Sequence, residues 1–331
     1  MISGENGSSS RSKRWQTGFQ VFDIEGTGET LEPDPTRNRK RRADSHRLVR
    51  VDDIDIACRV RGEGEPLVMI SAYAITMGMW DKNFIERLAS SYTVITFDNR
   101  GMGHTTSGTA PWSIDRFAAD TAGLIRALGF DMAHVLGWSL GGDVALGLAV
   151  EFPETVERLI VYAGDCGGPQ KVPAPKYLGV LKEAFRGRYV PFEGALAILF
   201  PPKWMKSHWG YWRRIPFPRE LVRPKSIVKQ NKAYEEWAGV YEQLPGIDCP
   251  ALIVTGEEDV STPPENADIL HERIPGSTLV RFPGAGHGLM YQYPDALADM
   301  VIEFLSETAG TAEKYGRDEN GVQGSVYSSR P

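Results

Sequence analysis

The stretch "GWSLGG", Gly137 to Gly142, decides the fold. Before it runs "AHVLGW", a short apolar segment with the character of a buried strand. After it runs "LGGDVALGLAVEF", which sets Leu140, Val144, Ala145 and Leu148 along one face of a helix. Ser139 sits between the two, with a glycine two positions away on either side. A strand-to-helix reversal this sharp crowds the positions two residues from its apex, and glycine has no Cβ to clash there. G-x-S-x-G in this setting is a nucleophile elbow. It lifts the serine hydroxyl above the sheet and sets a helix N-terminus, with the backbone N–H of Leu140, beside any developing negative charge.

Working outward, the same grammar repeats. "RLVRVDDIDIACRVRG" alternates like a half-buried hairpin. "PLVMIS", "TVITF", "RLIVYAG", "PALIVTG" and "STLVRFPG" are further short strands, and continuous apolar runs of this length imply burial on both faces. Helical segments alternate with them near residues 80–89, 114–128, 140–151, 264–274 and 294–305. Strand alternating with helix predicts an α/β fold, a mostly parallel sheet with helices on both faces. Residues 166–245 break the rhythm. They show no clear strand and hold Trp204, Trp209, Trp212 and Trp237, four of the eight tryptophans, and read as a helical insertion. Its aromatics either line a pocket as an apolar lid or build a small core of their own. The expected division is a tail over 1–45, a core over 46–165, the insertion over 166–245, the rest of the core over 246–310, and a second tail over 311–331.

Composition narrows the function. A net charge of −6 argues against a dedicated nucleic-acid binder. Cys58, Cys166 and Cys249 lie far apart and form no metal or disulfide framework, which fits a reducing compartment. There is no 18-residue apolar run to span a membrane and no secretory apolar stretch near Met1, so a cytoplasmic location is expected. No metal-ligand spacing and no G-x-G-x-x-G cradle appears, so neither metal nor cofactor is expected. The basic run "RNRKRR", Arg37 to Arg42, reads as a solvated part of the tail, with an anionic-surface patch or targeting signal as the alternative.

A neutral serine needs a base. Of the six histidines, His46 borders the tail, His134 starts a strand at the wrong end, His208 lies in the insertion and His271 on a polar helix. His104, in "GMGHTTSG", follows a strand and is a weaker candidate. His287, in "FPGAGHGLMY", follows the last strand in a glycine-rich loop, at the sheet edge where Ser139 lies. An imidazole base works only when neutral, and it needs an acid to fix its tautomer. "LIVTGEEDVSTPP" supplies Asp259 after the preceding strand, while Asp165 in "YAGDCGG" is the rival acid or a pocket residue. Trp138, beside the serine, and Leu289 and Met290, after the histidine, are the nearest apolar candidates for a pocket wall. The chain order is Ser139, Asp259, His287.

"FDNRGMGHT" (Phe97 to Thr105), "GWSLGG", "GEEDVSTPP" (Gly256 to Pro264) and "GAGHG" (Gly284 to Gly288) together resemble the α/β-hydrolase superfamily, in its serine-nucleophile, lid-bearing, esterase-like form. The resemblance covers about residues 48–305. It implies an eight-stranded type of sheet with a helical cap, and a serine hydrolase acting on esters or related acyl bonds of a small to medium, largely apolar substrate. It also implies that Tyr73 supplies a second backbone N–H to an oxyanion hole with Leu140. One stretch departs from the pattern. In "MISAYAITMGMW", Ser71 and Ala72 stand where many members carry His-Gly, and Ala72 and Ala74 replace the glycines of a similar "GYGAT" subgroup. An alanine at positive φ there is strained. Serine at position 139 sets the chain apart from similar dehalogenases and epoxide hydrolases with aspartate at the elbow. A non-catalytic small-ligand receptor, a cofactor-free perhydrolase and a carbon–carbon bond hydrolase are the alternatives on this fold.

Overall fold

The computed structural model describes residues 46–174, 192–216, 220 and 222–306. The two expected tails, "RNRKRR" within the first, and part of the insertion lie outside them.

The chain opens with β1 (Arg47–Val51) and β2 (Ile54–Arg61), the expected antiparallel hairpin. Then follow β3 (Pro66–Ile70), α1 (Lys82–Leu88), β4 (Thr93–Phe97), α2 (Ile114–Ala127), β5 (Ala133–Trp138), α3 (Leu140–Glu151) and β6 (Val156–Tyr162). The insertion contributes α4 (Phe192–Leu199), α5 (Pro202–Ser207) and α6 (Pro224–Glu235). The core resumes with β7 (Ala251–Gly256), α7 (Glu265–Arg273), β8 (Thr278–Phe282), a one-turn α8 (Leu289–Gln292) and α9 (Pro294–Ser306). The eight strands form one sheet in the order β1-β2-β4-β3-β5-β6-β7-β8, parallel from β4 onward and antiparallel where β2 meets β1 and β4.

Period-two alternation divides the strands between two cores. Val68, Ile70, Val135, Leu159, Val161 and Ile253 point into a core shared with α2, α3 and α7. Leu67, Met69, Leu136, Ile160, Leu252 and Val254 point into a second core shared with α1 and α9. Both faces are thus covered, which is why the strands read as unbroken apolar runs. Helix α3 differs from the one-faced expectation: every residue from Leu140 to Ala149 is buried. A helix apolar all round is one enclosed on all sides, and this one sits directly under the candidate site. Among the described residues no helix is long and apolar enough to cross a membrane.

The insertion's aromatics mostly pack on one another. Trp204 stacks on Phe200 at 5.0 Å and on His208 at 4.3 Å, and Tyr211 meets Phe200 edge-on at 5.4 Å. Trp209, by contrast, is 90% exposed and touches Trp212 edge-on. This segment grips the core. Gly288 N–H donates to the Leu199 carbonyl at 2.8 Å, and Arg214 donates to the carbonyls of Tyr291 and Gln292 at 3.3 and 3.2 Å.

Candidate active site

The elbow lies at the carboxyl end of β5. Ser139 has φ 55° and ψ −124°, outside the comfortable range of a residue with a side chain. The turn is built around its glycines. A Cβ on Gly137 would lie 2.0 Å from the Gly141 carbonyl oxygen, and one on Gly141 would lie 2.1 Å from the Ile70 oxygen. Neither position tolerates anything larger. The Ser139 N–H donates to the Tyr162 carbonyl at 2.8 Å, which holds the apex against the end of β6. Ser139 is half-buried while its neighbours Trp138 and Leu140 are buried. Leu140 is the first residue of α3, so its N–H has no acceptor within the helix.

Asp259 and His287 come from the loops after β7 and β8 and meet directly. His287 Nδ1 stands 2.8 Å from Asp259 Oδ2. The other carboxylate oxygen accepts from the N–H groups of Ser261 and Thr262 at 2.8 and 2.9 Å. The aspartate is therefore fixed from one side and offers its second oxygen to the ring. Donation from Nδ1 leaves the Nε2 lone pair as the acceptor. His287 and Asp259 are each 4% exposed.

Two aromatic residues carry the histidine loop to the serine. Trp138 and Tyr162 end β5 and β6 in register, with their rings stacked at 5.9 Å. Both donate to the His287 carbonyl, the indole at 3.2 Å and the phenol at 2.7 Å. The Met290 N–H in turn donates to the Tyr162 oxygen at 3.2 Å. The Trp138 and His287 rings lie 5.8 Å apart. Trp138, Leu289 and Met290, read from the sequence as pocket candidates, are 3%, 0% and 0% exposed. Trp138 acts as a strut, and the other two pack in the second core beneath the loop. Burial raises the Tyr162 phenol far above its usual pKa, so it remains a neutral donor.

Asp165 goes elsewhere. Its carboxylate accepts from the Gly167 N–H at 2.8 Å and the Tyr234 hydroxyl at 3.2 Å, with Lys171 Nζ at 3.9 Å. Its own N–H donates to Asp143, whose carboxyl is raised by burial and then by the charge of Asp165. The remaining histidines are also engaged away from Asp259. His46 and His104 stack on each other, His134 meets Glu65, His208 stacks on Trp204, and His271 meets Ser277.

Tyr73 lies in the loop after β3. Asp98 and Asn99, in the "FDNRG" motif, brace that loop: Asp98 accepts from the Met77 N–H at 2.8 Å, and Asn99 donates to the Ser71 carbonyl at 3.1 Å. Asp98 also accepts from His104 N–H at 3.0 Å, so it holds its own turn as well. Ala74 has φ 56° and carries the strain anticipated for an alanine here, whereas Ala72 is not among the positive-φ residues. Sequence reasoning missed Tyr162 altogether, because a tyrosine closing a buried strand reads as core.

Comparison with known proteins agrees with this architecture. The family model described as "alpha/beta hydrolase fold" matches residues 65–294. A pimeloyl-[acyl-carrier protein] methyl ester esterase of Neisseria meningitidis is 30% identical, covering 72% of this chain and 91% of its own. The human serine hydrolase BPHL is 26% identical over 78% of this chain and 85% of its own. Among solved structures, a thermophilic esterase from Thermogutta terrifontis superposes with a TM-score of 0.69 at 23% identity, covering 79% of this chain and 98% of that one.

Proposed function

Because the chain belongs to the alpha/beta hydrolase family, we propose that it is a serine hydrolase of carboxylic esters or related acyl compounds, working through Ser139, His287 and Asp259. The observation that carries this reading is the buried Asp259–His287 pair, 2.8 Å apart and tied by the His287 carbonyl to Trp138, the residue before the elbow serine.

The chemistry follows from the roles. Ser139 Oγ attacks the substrate carbonyl while its proton passes to His287 Nε2. Asp259 keeps the Nδ1–H tautomer and stabilises the imidazolium. The tetrahedral oxyanion takes hydrogen bonds from the N–H groups of Leu140 and Tyr73, each such donor lowering the barrier by about 3 kcal/mol. His287 then protonates the leaving alkoxide as the C–O bond breaks. Water, deprotonated by His287, attacks the acyl-enzyme and returns Ser139 to its starting form. No cofactor enters this sequence.

Residues 166–245 form the cap in this reading, and the substrate is small to medium and largely apolar. The esterase name of the Neisseria relative favours an ester over a carbon–carbon bond. The test pairs wild type with Ser139→Ala against p-nitrophenyl esters of two to eight acyl carbons. Turnover that disappears in Ser139→Ala is the expected result. Turnover that persists in the variant would sink the assignment.

A further inference from the structure

The loop after β3 is held by the core at its ends and by the insertion at its middle. Asn99 fixes the Ser71 carbonyl at 3.1 Å, and Asp98 fixes the Met77 N–H at 2.8 Å. Between them stands Ala74 at φ 56°. A side chain disfavours that region, and such a conformation persists only where its surroundings over-determine it. The group that does so is Gln230, on α6 of the insertion. The Ala74 N–H donates to Gln230 Oε1 at 2.7 Å. Next along the helix, Asn231 Oδ1 accepts from the Tyr73 hydroxyl at 3.3 Å. Gln230 is 0% exposed, and its Nε2 is buried without a hydrogen-bond partner among the described residues. An apolar side chain there would avoid the cost of that unmet donor. The bond to Ala74 is what an amide supplies and an apolar residue does not.

We propose that Gln230 is a positioning residue for the oxyanion hole. The Tyr73 N–H belongs to the peptide plane joining residues 72 and 73. Asn99 fixes the plane before it through the Ser71 carbonyl, and Gln230 fixes the plane after it through the Ala74 N–H. The Tyr73 donor is thereby aimed from both sides, and one of those sides is the insertion. The oxyanion hole is complete only with α6 seated on the loop. This inference rests on the serine-hydrolase reading and on Tyr73 as the second donor.

The test uses the full chain and two variants. Gln230→Met removes the acceptor, while Gln230→Glu keeps a side-chain oxygen facing Ala74. With p-nitrophenyl butyrate, Gln230→Met is expected to lose 10- to 100-fold in kcat with KM within twofold. Its affinity for a trifluoromethyl ketone, whose adduct carries an oxyanion, should fall in the same proportion. Gln230→Glu should recover most of both. Unchanged kcat in Gln230→Met, a change in KM alone, an unaltered ketone affinity, or equal losses in both variants would each overturn the proposal. Fluorophosphonate labelling of wild type separates the two levels. If wild type labels at Ser139 and Gln230→Met behaves normally, only the role of Gln230 falls. If wild type does not label, the hydrolase reading falls and takes this inference with it.

Discussion

Tyr162 ends a buried strand, yet its hydroxyl is a junction in the candidate site. It donates to the His287 carbonyl and accepts from the Met290 N–H, so the histidine loop hangs on it from two points. Deleting the hydroxyl removes both bonds, each worth about 0.5–1.5 kcal/mol. Tyr162→Phe is therefore expected to lower kcat about tenfold with little effect on KM, as steady-state kinetics on a chromogenic ester will show. The two candidate acids differ more sharply. Asp259→Asn is expected to cut kcat by about 10⁴-fold, because the ring loses its tautomer-fixing partner. Asp165→Asn should stay within tenfold, since that carboxylate serves Gly167, Tyr234 and Lys171. Equal losses in the two variants would contradict the geometry. The serine, the histidine and the preferred acid were all legible in the sequence, because each follows a strand in a loop rich in turn residues. Tyr162 was not. Its role depends on β5 and β6 being neighbours in register, which no local pattern encodes.

At the scale of elements, the loop after β4 is anchored by a buried cation. Arg100 is 1% exposed and donates through two nitrogens to Asp120 on α2, each at 2.7 Å. It also meets Asp53, in the β1–β2 turn, at 2.8 Å. One guanidinium thus ties the hairpin, α2 and the "FDNRG" loop that braces Ser71 and Met77. Truncating it leaves the buried Asp120 carboxylate with Arg116 alone, at 3.2 Å, so Arg100→Met is expected to lose about 3 kcal/mol of stability by urea unfolding. A loss below about 1 kcal/mol would show the network to be ornamental. The hydrogen bond from Arg100 holds the Asp53 carboxyl well below its ordinary pKa. A depressed carboxyl contributes stability above the unfolded-state pKa of about 4 and loses it as pH falls below that value. Wild type should accordingly be more stable than Asp53→Asn at pH 7, with the gap shrinking as pH falls below about 4. A gap that widens in acid would reverse the sign. The strand and helix sequence of these elements was readable from periodicity alone. The enclosure of α3 on all sides was legible as well, though only one face was expected: "LGGDVALGLAV" holds a single charged residue, Asp143, and is otherwise apolar or glycine.

For the whole molecule, one sheet runs from β1 to β8, and its two cores also take in Leu196, Phe200, Trp204, Ala233 and Leu244 of the insertion. The candidate residues Tyr73, Ser139, Asp259 and His287 follow β3, β5, β7 and β8. All four strands are parallel, so their carboxyl ends share one edge of the sheet. That convergence was predictable once the strands were recognised as parallel. What the insertion does was not predictable, since each tryptophan taken singly fits a small core while the four together suggest an apolar lid. In the structure Trp204 stacks on Phe200, which meets Tyr291 of the second core, while Gln230 and Leu199 reach the loops of the site. Both cores and all four candidate residues lie within 46–306, so deleting residues 1–45 is expected to leave the melting temperature and kcat unchanged. A drop in either would assign the segment a part in the domain. The claim on which all of this depends is that Ser139 is a nucleophile. Reaction with a fluorophosphonate probe, followed by mass analysis of the labelled peptide, tests it most directly. The account predicts one adduct, on Ser139, forming as ester hydrolysis disappears and absent from Ser139→Ala. A folded wild type that takes no label, or takes it at another residue while activity is lost, would contradict it.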